Sequence, residues 1–94
     1  MLFRDDEQCQ IRTLSPLHME RSTEFYEVKL AAGAELRSAA HFQGTRELLT
    51  VSRGSARVLS GDSTRELGPG DSAHYRADLE HCISNTGDSE LIAY

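Results

Sequence analysis

The chain has 94 residues, 38% hydrophobic and 27% charged, a composition typical of one small globular domain. Its 15 acidic residues outnumber 10 basic ones, and the net charge of −5 disfavours direct contact with nucleic acid. No window approaches the roughly 20 apolar residues of a membrane span, and the N-terminus lacks the basic and apolar regions of a signal peptide. We therefore expect a cytoplasmic domain with neither a membrane nor nucleic acid as its direct partner.

Short runs of alternating apolar and polar residues follow one another along the chain, separated by turns rich in Gly, Asp, Asn and Ser. The predicted strands, in chain order, are QIRTL, FYEVKLA, ELRSAA, RELLTVSR, SARVLS, STREL, DSAHYR, HCISN and ELIAY. Many short strands without crossover helices predict an antiparallel barrel or jelly roll. We expect a single domain over residues 1–94, with a core barrel over 25–94 and residues 1–20 as an N-terminal arm or edge strand.

Two stretches resemble the paired motifs of the cupin superfamily. Residues 33–54, GAELRSAAHFQGTRELLTVSRG, resemble the first motif, and the matching residues are Gly33, His41, Glu47 and Gly54. Residues 68–85, GPGDSAHYRADLEHCISN, resemble the second, and the matching residues are Gly70, Asp71, His81 and Asn85. The resemblance implies an all-β fold, the small cupin double-stranded β-helix or jelly-roll barrel.

Beyond these motif residues, the sequence is most similar to the cupin domain that follows a helix-turn-helix in bacterial XRE-type transcriptional regulators. In those regulators the helix-turn-helix binds DNA and the cupin is thought to sense a small molecule. This chain carries no helix-turn-helix pattern of its own. The resemblance therefore implies an effector-sensing module that does not itself contact DNA.

The first motif departs from the family pattern in two places. Ala39 stands where the first histidine of H-x-H is expected, and five residues separate His41 from Glu47 where the pattern has three or four. One metal ligand is therefore missing, and the loop has a different length. Small residues such as Ala39 also leave room for a ligand.

The resemblance, together with period-2 alternation, predicts the lining of one pocket. Barrel closure would bring together His41, Glu47 and His81, a set that suits one divalent transition metal such as Zn, Fe, Mn or Ni. The predicted ligand-binding residues are these three together with Tyr75, Leu49, Val51 and Ile83. The competing interpretation is a metal-free pocket wall, and the departures at Ala39 and in the loop favour that wall.

Three functions fit these residues. The first is a sensor domain that binds a small-molecule effector, and the second is a small metal-dependent enzyme of oxygenase or isomerase type. The third is a cupin kept mainly for dimerisation. The missing ligand and the lack of a spare acid–base pair favour binding over catalysis, so we expect no catalytic residues. We also expect a homodimer, because Leu48 and Leu59 fall on outward faces and a small open barrel exposes strand edges.

Overall fold

A computed structural model describes residues 2–15 and 24–94, which form ten β-strands. The strands are β1 (Leu2–Asp5), β2 (Cys9–Thr13), β3 (Tyr26–Leu30), β4 (Glu35–Ser38), β5 (Arg46–Arg53), β6 (Ala56–Ser60), β7 (Ser63–Leu67), β8 (Ser72–Arg76), β9 (His81–Asn85) and β10 (Leu91–Ala93). None of the described residues belongs to a helix, so no membrane-spanning helix is found among them. The predicted all-β fold class is confirmed.

The strands form two antiparallel sheets around one core. The larger sheet has the order β1-β2-β3-β10-β5-β8, and the smaller has the order β4-β9-β6-β7. Both sheets contribute to a single apolar cluster, with Leu30, Val51 and Leu91 from the larger and Val58 and Ile83 from the smaller. Several neighbouring strands are distant in sequence, such as β3 and β10, β5 and β8, and β4 and β9, as expected of a jelly roll.

Strand β5 shows how the period-2 pattern determines which residues face the core. Leu49 and Val51 are buried in the cluster and Glu47 is partly buried on the same face, whereas Leu48 is 66% exposed. Successive side chains of a strand point to opposite faces, so Glu47 is the polar end of an otherwise apolar inward row. The face predicted for Glu47 is therefore the one observed.

Two glycines shape the turns beside this core. Gly61 has a φ of +54° at the first central position of the β6–β7 hairpin, where a type II′ turn requires glycine. Gly54 has a φ of +94°, and a Cβ there would lie 3.0 Å from the carbonyl oxygen of Glu90. The motif glycine thus permits a close backbone approach between the end of β5 and the start of β10.

The N-terminal segment pairs within the chain. β1 pairs with β2, and β2 pairs with β3 over Cys9–Thr13, so β1 is an edge strand of the larger sheet. Within the proposed arm, Met1 and residues 16–20 lie outside the described residues. The two cysteines, Cys9 and Cys82, are both free and buried.

Candidate metal and ligand site

Glu47 and Tyr75 are directly opposite each other in the β5–β8 ladder. Both face inward, and the Tyr75 hydroxyl donates a hydrogen bond of 2.7 Å to Oε1 of Glu47. Burial and the neighbouring Glu47 carboxylate raise the pKa of Tyr75 far above its ordinary value, so the phenol stays protonated. One oxygen of the carboxylate is therefore held, and the other remains available.

His81 begins β9 and is buried, with 2% of its surface exposed. Its Nδ1 lies 2.8 Å from the carbonyl oxygen of Leu79. A carbonyl oxygen can only accept, so Nδ1 carries the proton and, in the neutral ring, the lone pair is on Nε2. This is the arrangement in which metal-binding histidines are usually held.

His41 reaches the same place from the loop between β4 and β5. Its backbone N–H donates to the Ala77 carbonyl at 2.9 Å, and the Gly44 N–H donates to Oδ2 of Asp78 at 2.9 Å. Its side chain is about half exposed, at 49%. The loop is thus attached to the turn that precedes β9, and it places the imidazole at the mouth of the site.

Asp78 supplies the side chain that holds this loop, in addition to the backbone bond between His41 and Ala77. It accepts hydrogen bonds from the Arg76 guanidinium and from the Gly44 amide. These interactions lower the pKa of Asp78 to about 2, the Arg76 bond having the largest effect. Asp78 was not among the sequence-predicted site residues, because nothing in RADLEH shows that its carboxylate reaches a loop 34 residues away.

The three predicted metal ligands converge. Oε2 of Glu47 lies 3.5 Å from Nε2 of His41 and 3.2 Å from Nε2 of His81, and all three donor atoms fall within 4.8 Å of one another. Donors bound to one ion at 2.0–2.2 Å are separated by roughly 2.8–3.6 Å in tetrahedral or octahedral geometry. The two measured separations from Glu47 are within that range.

The surroundings of His81 Nε2 are a further test of the metal interpretation. Although Oε2 of Glu47 is near, the contact lacks hydrogen-bond geometry, and this buried nitrogen has no hydrogen-bond partner among the described residues. A buried unsatisfied polar atom costs about 1–3 kcal/mol. A buried ring nitrogen whose lone pair meets no donor is therefore unfavourable by itself, and it becomes favourable when it binds a cation that the nearby Glu47 carboxylate also binds. The residues present fit a metal ion.

The apolar residues predicted to line the pocket belong to the core. Leu49, Val51 and Ile83 are all buried in the main cluster. A hollow of about 300 Å³ lies beside the start of β9, and its lining is Arg37, Leu59, Gly61, Asp62, Glu80 and His81. Of the predicted set only His81 contacts this hollow, so the role of the three apolar residues in ligand binding remains a prediction.

Tyr26 is a second residue that sequence reasoning did not assign to the site. It lies on the inward face of β3 with Val28 and Leu30, and its hydroxyl donates to a carboxylate oxygen of Glu24. Burial, this hydrogen bond and the charges of Glu24 and Glu47 raise the pKa of Tyr26 to about 12. The alternation of FYEVKLA already placed Tyr26 inward, but its proximity to Glu47 depends on sheet closure.

Asn85, the last residue of the second motif, has a structural role. Its side-chain amide donates to the carbonyls of Leu30, Ala31 and Ser89, and its Oδ1 accepts from the Gly87 amide. The side chain is buried with its hydrogen-bonding groups occupied, so it joins β9 to the strand β3 and to the following turn. Of the polar residues that match the second motif, which are Asp71, His81 and Asn85, His81 is the one directed at the site.

Comparison with protein families assigns the fold. The model of the Cupin_2 family, described as the cupin domain, matches residues 26–94. The chain belongs to the Cupin_2 family. Among curated proteins, none matches this cupin in sequence.

Solved structures share the same fold at low sequence identity. The Cupin_2 domain of an XRE family transcriptional regulator from Enterobacter cloacae superposes with a TM-score of 0.84 at 21% identity, covering 93% of this chain and 92% of that one. An HTH_3 family transcriptional regulator from Vibrio cholerae gives 0.84 at 24% identity, covering 97% of this chain and 51% of that one. The Schizosaccharomyces pombe Cnp3 cupin domain gives 0.79 at 18% identity, covering 100% of this chain and 64% of that one. The cupin described here thus spans about half the length of the Vibrio regulator.

Proposed function

We propose that this cupin is the effector-sensing domain of a transcriptional regulator and that it binds its small-molecule effector at one divalent transition metal. His41, Glu47 and His81 would hold the ion, which we expect to be Zn, Fe, Mn or Ni. The observation that supports the metal most strongly is the convergence of three donor atoms around a buried His81 Nε2 without a hydrogen-bond partner among the described residues. This geometry leads us to prefer a metal centre over the metal-free pocket wall that the sequence favoured.

The chain's own residues prepare the site for such an ion. The Leu79 carbonyl fixes the tautomer of His81, Tyr75 holds one oxygen of Glu47, and the tethered loop brings His41 to the mouth. Three protein donors leave coordination positions for other ligands, so the ion would supply a Lewis-acidic contact for a carboxylate or other oxygen donor of the effector. Effector binding would then be sensitive to the position of the His41 loop.

Two observations support sensing over catalysis. The Tyr75 hydroxyl is committed to Glu47 and its pKa is raised, so it does not serve as a general base near neutral pH. The structures from Enterobacter cloacae and Vibrio cholerae that share this fold are described as parts of transcriptional regulators. A DNA-binding domain elsewhere in the same polypeptide would respond to effector binding by the cupin, because the acidic cupin is unsuited to contact DNA itself.

Metal content and effector binding are tested on the same preparation. Protein purified without added ions is analysed by elemental mass spectrometry, and a panel of amino acids and other carboxylates is then screened by thermal shift before and after chelation. We expect close to one equivalent of metal and an effector whose stabilising effect disappears on chelation. Protein that takes up no Zn, Fe, Mn or Ni would contradict the metal centre. Metal-loaded protein that binds no metabolite would contradict sensing.

A small metal-dependent enzyme of oxygenase or isomerase type is the second candidate. Two imidazoles and one carboxylate are the ligand set of non-haem iron oxygenases, and the half-exposed His41 leaves the site open to solvent. Oxygen uptake by the Fe(II)-loaded protein in the presence of a bound metabolite distinguishes the two functions. Multiple turnovers would favour the enzyme, and binding without turnover would favour the sensor.

We further propose a cytoplasmic homodimer. Leu48 is 66% exposed on the outer face of β5, and β8 beside it is an edge strand, so a second copy could cover both. Light scattering at tens of micromolar is expected to give the mass of a dimer. A mass corresponding to the 10.4 kDa chain alone would contradict this.

A further inference from the structure

The hydrogen bond between Tyr75 and Glu47 gives the two carboxylate oxygens of Glu47 different surroundings. Oε1 accepts from the Tyr75 hydroxyl at 2.7 Å, while Oε2 lies 3.2 Å from His81 Nε2 and 3.5 Å from His41 Nε2. Both oxygens would otherwise be free to turn toward a cation between the imidazoles. The phenol therefore draws Oε1 toward itself and takes one of the two lone pairs of the oxygen that a two-oxygen coordination mode would require.

The position of Tyr75 makes this contact a consequence of the fold. Tyr75 is paired with Glu47 in the β5–β8 register, and only 8% of its surface is exposed. Its ring is packed in the main core cluster, so the hydroxyl has little freedom to move away from the carboxylate. Tyr75 on β8 thus determines how Glu47 on the neighbouring strand β5 orients its carboxylate.

We propose that Tyr75 is a positioning residue that keeps Glu47 a one-oxygen metal ligand and so determines how many coordination positions remain for the effector. The inference rests on the metal centre proposed above. A carboxylate bound through both oxygens would fill one more position on the ion, and the effector would have one fewer. Tyr75 would then control effector binding without contacting either metal or effector.

A purely structural explanation makes a different prediction. A buried tyrosine needs a partner for its hydroxyl, and Glu47 would satisfy it whether or not a metal binds. The chain contains a comparable pair, because Tyr94, which is partly buried, donates to Oε2 of Glu27 at 3.0 Å. Glu27 is not among the grouped metal-binding residues, so this second pair provides the control.

The experiment compares Co²⁺ binding by the wild-type chain, Tyr75→Phe and Tyr94→Phe. For Tyr75→Phe we expect Co²⁺ affinity to fall about 10–100-fold, the usual effect of removing a partner that orients a ligand. At saturation, its visible absorption per bound Co²⁺ should also weaken, because a second oxygen from Glu47 raises the coordination number. Tyr94→Phe should match the wild-type chain in both respects. A Tyr75→Phe protein with wild-type affinity and spectrum would overturn the proposal.

A second measurement does not depend on a variant that folds. A crystal structure of the wild-type protein with Co²⁺ should show the ion bound to Oε2 of Glu47 while Oε1 keeps the Tyr75 hydroxyl. Coordination through both oxygens would overturn the inference and leave the metal centre intact. A wild-type protein that takes up no Co²⁺ or Zn²⁺ would overturn both, so the two failures are distinguishable.

Discussion

The two halves of the candidate metal site are built in different ways. Glu47 and His81 are on regular strands, where ladder partners fix their backbone positions and neighbouring groups fix their donor atoms. His41 is on a loop, and its position depends on a few hydrogen bonds to the turn that precedes β9. The buried half has 2% exposure at His81, whereas the His41 side chain is about half exposed.

This difference indicates which part of the site is permanent and which is adjustable. Strand positions cannot shift without breaking the ladder, so Glu47 and His81 form a pre-organised pair. A loop attached by a few hydrogen bonds can change position at low cost, and effector binding could act there. If the comparison is correct, substitutions in the strand-borne half should have larger effects on metal binding than substitutions in the loop-borne half.

The largest effect is expected from His81→Ala. It removes the buried donor and the bond to Leu79, so metal uptake should become undetectable by calorimetry or elemental analysis. We expect a loss of stability of about 1–3 kcal/mol with the strand spectrum retained in circular dichroism. His74→Ala is the control, because His74 is exposed on the outer face of β8 and bonds to Arg46. Full metal uptake by His81→Ala would exclude the site.

His41→Ala should reduce metal affinity less than His81→Ala does, because Glu47 and His81 remain in place. Removing a residue that only orients a ligand usually costs roughly 10–100-fold in affinity, and we expect the loss of His41 to cost at least that much. Metal uptake should still be measurable at high metal concentration. The folded protein should keep its thermal midpoint, since the imidazole is half exposed. A loss equal to that of His81→Ala would show that the two halves do not differ as the comparison requires.

Asp78→Ala tests whether the hydrogen bond that Asp78 makes to the His41 loop affects metal binding through His41. Loss of the bonds to Gly44 and Arg76 should weaken metal binding about tenfold, at the lower end for an outer partner. Glu66→Ala, which removes a comparable Arg–carboxylate pair on the surface, should have no effect. In a His41→Ala background, Asp78→Ala should add nothing. An additional loss there would mean that Asp78 acts on another part of the site.

Because the pKa of Asp78 is lowered, a titration of metal affinity against pH can distinguish protonation of Asp78 from protonation of the metal ligands. A carboxyl group whose folded pKa lies below its unfolded value near 3.9 stabilises the fold fully above that value and loses the contribution as pH falls toward 2. Metal affinity lost in the pH interval above that unfolded value would therefore reflect proton competition at the metal ligands, which must be unprotonated to bind. Asp78→Ala should lower the curve of affinity against pH over this interval without changing its shape.

Most of the fold could be predicted from the sequence because its signals are local. Alternation and glycine-containing turns predicted the nine strands β2–β10, and β5, β7 and β9 have the bounds expected from RELLTVSR, STREL and HCISN. β1 was not among the strands predicted from alternation, because LFRD has none and its pairing depends on β2, although residues 1–20 were expected to form an arm or an edge strand. The sheet order could not be derived from local pattern, and the resemblance to cupins implied only the jelly-roll fold class.

The site was predictable in part. The two motifs predicted the grouping of His41, Glu47 and His81. Alternation placed His74 and Tyr75 on opposite faces, and the motif put Tyr75 on the inward one. The two contacts that position these ligands, from Asp78 to the His41 loop and from Tyr75 to one oxygen of Glu47, could not be predicted. Each joins residues about 30 positions apart through side-chain geometry, which a one-dimensional pattern does not encode.

The smallest effect is expected when a histidine is added to the loop-borne half of the site. Ala39, like Ala40, is exposed in the segment after β4, and it occupies the position of the first histidine in the cupin H-x-H pattern. Ser38 before it is opposite His81 in the β4–β9 ladder, so a histidine at 39 would begin its side chain close to the site. We expect Ala39→His to tighten Zn²⁺ binding by a few-fold to about tenfold, since one of the remaining positions gains a protein ligand on a segment that is not rigidly held. Ala40→His is the matched control and should leave affinity unchanged. Equal tightening in both variants would indicate adventitious binding by an added imidazole, and no change in either would mean that the loop cannot bring position 39 to the ion.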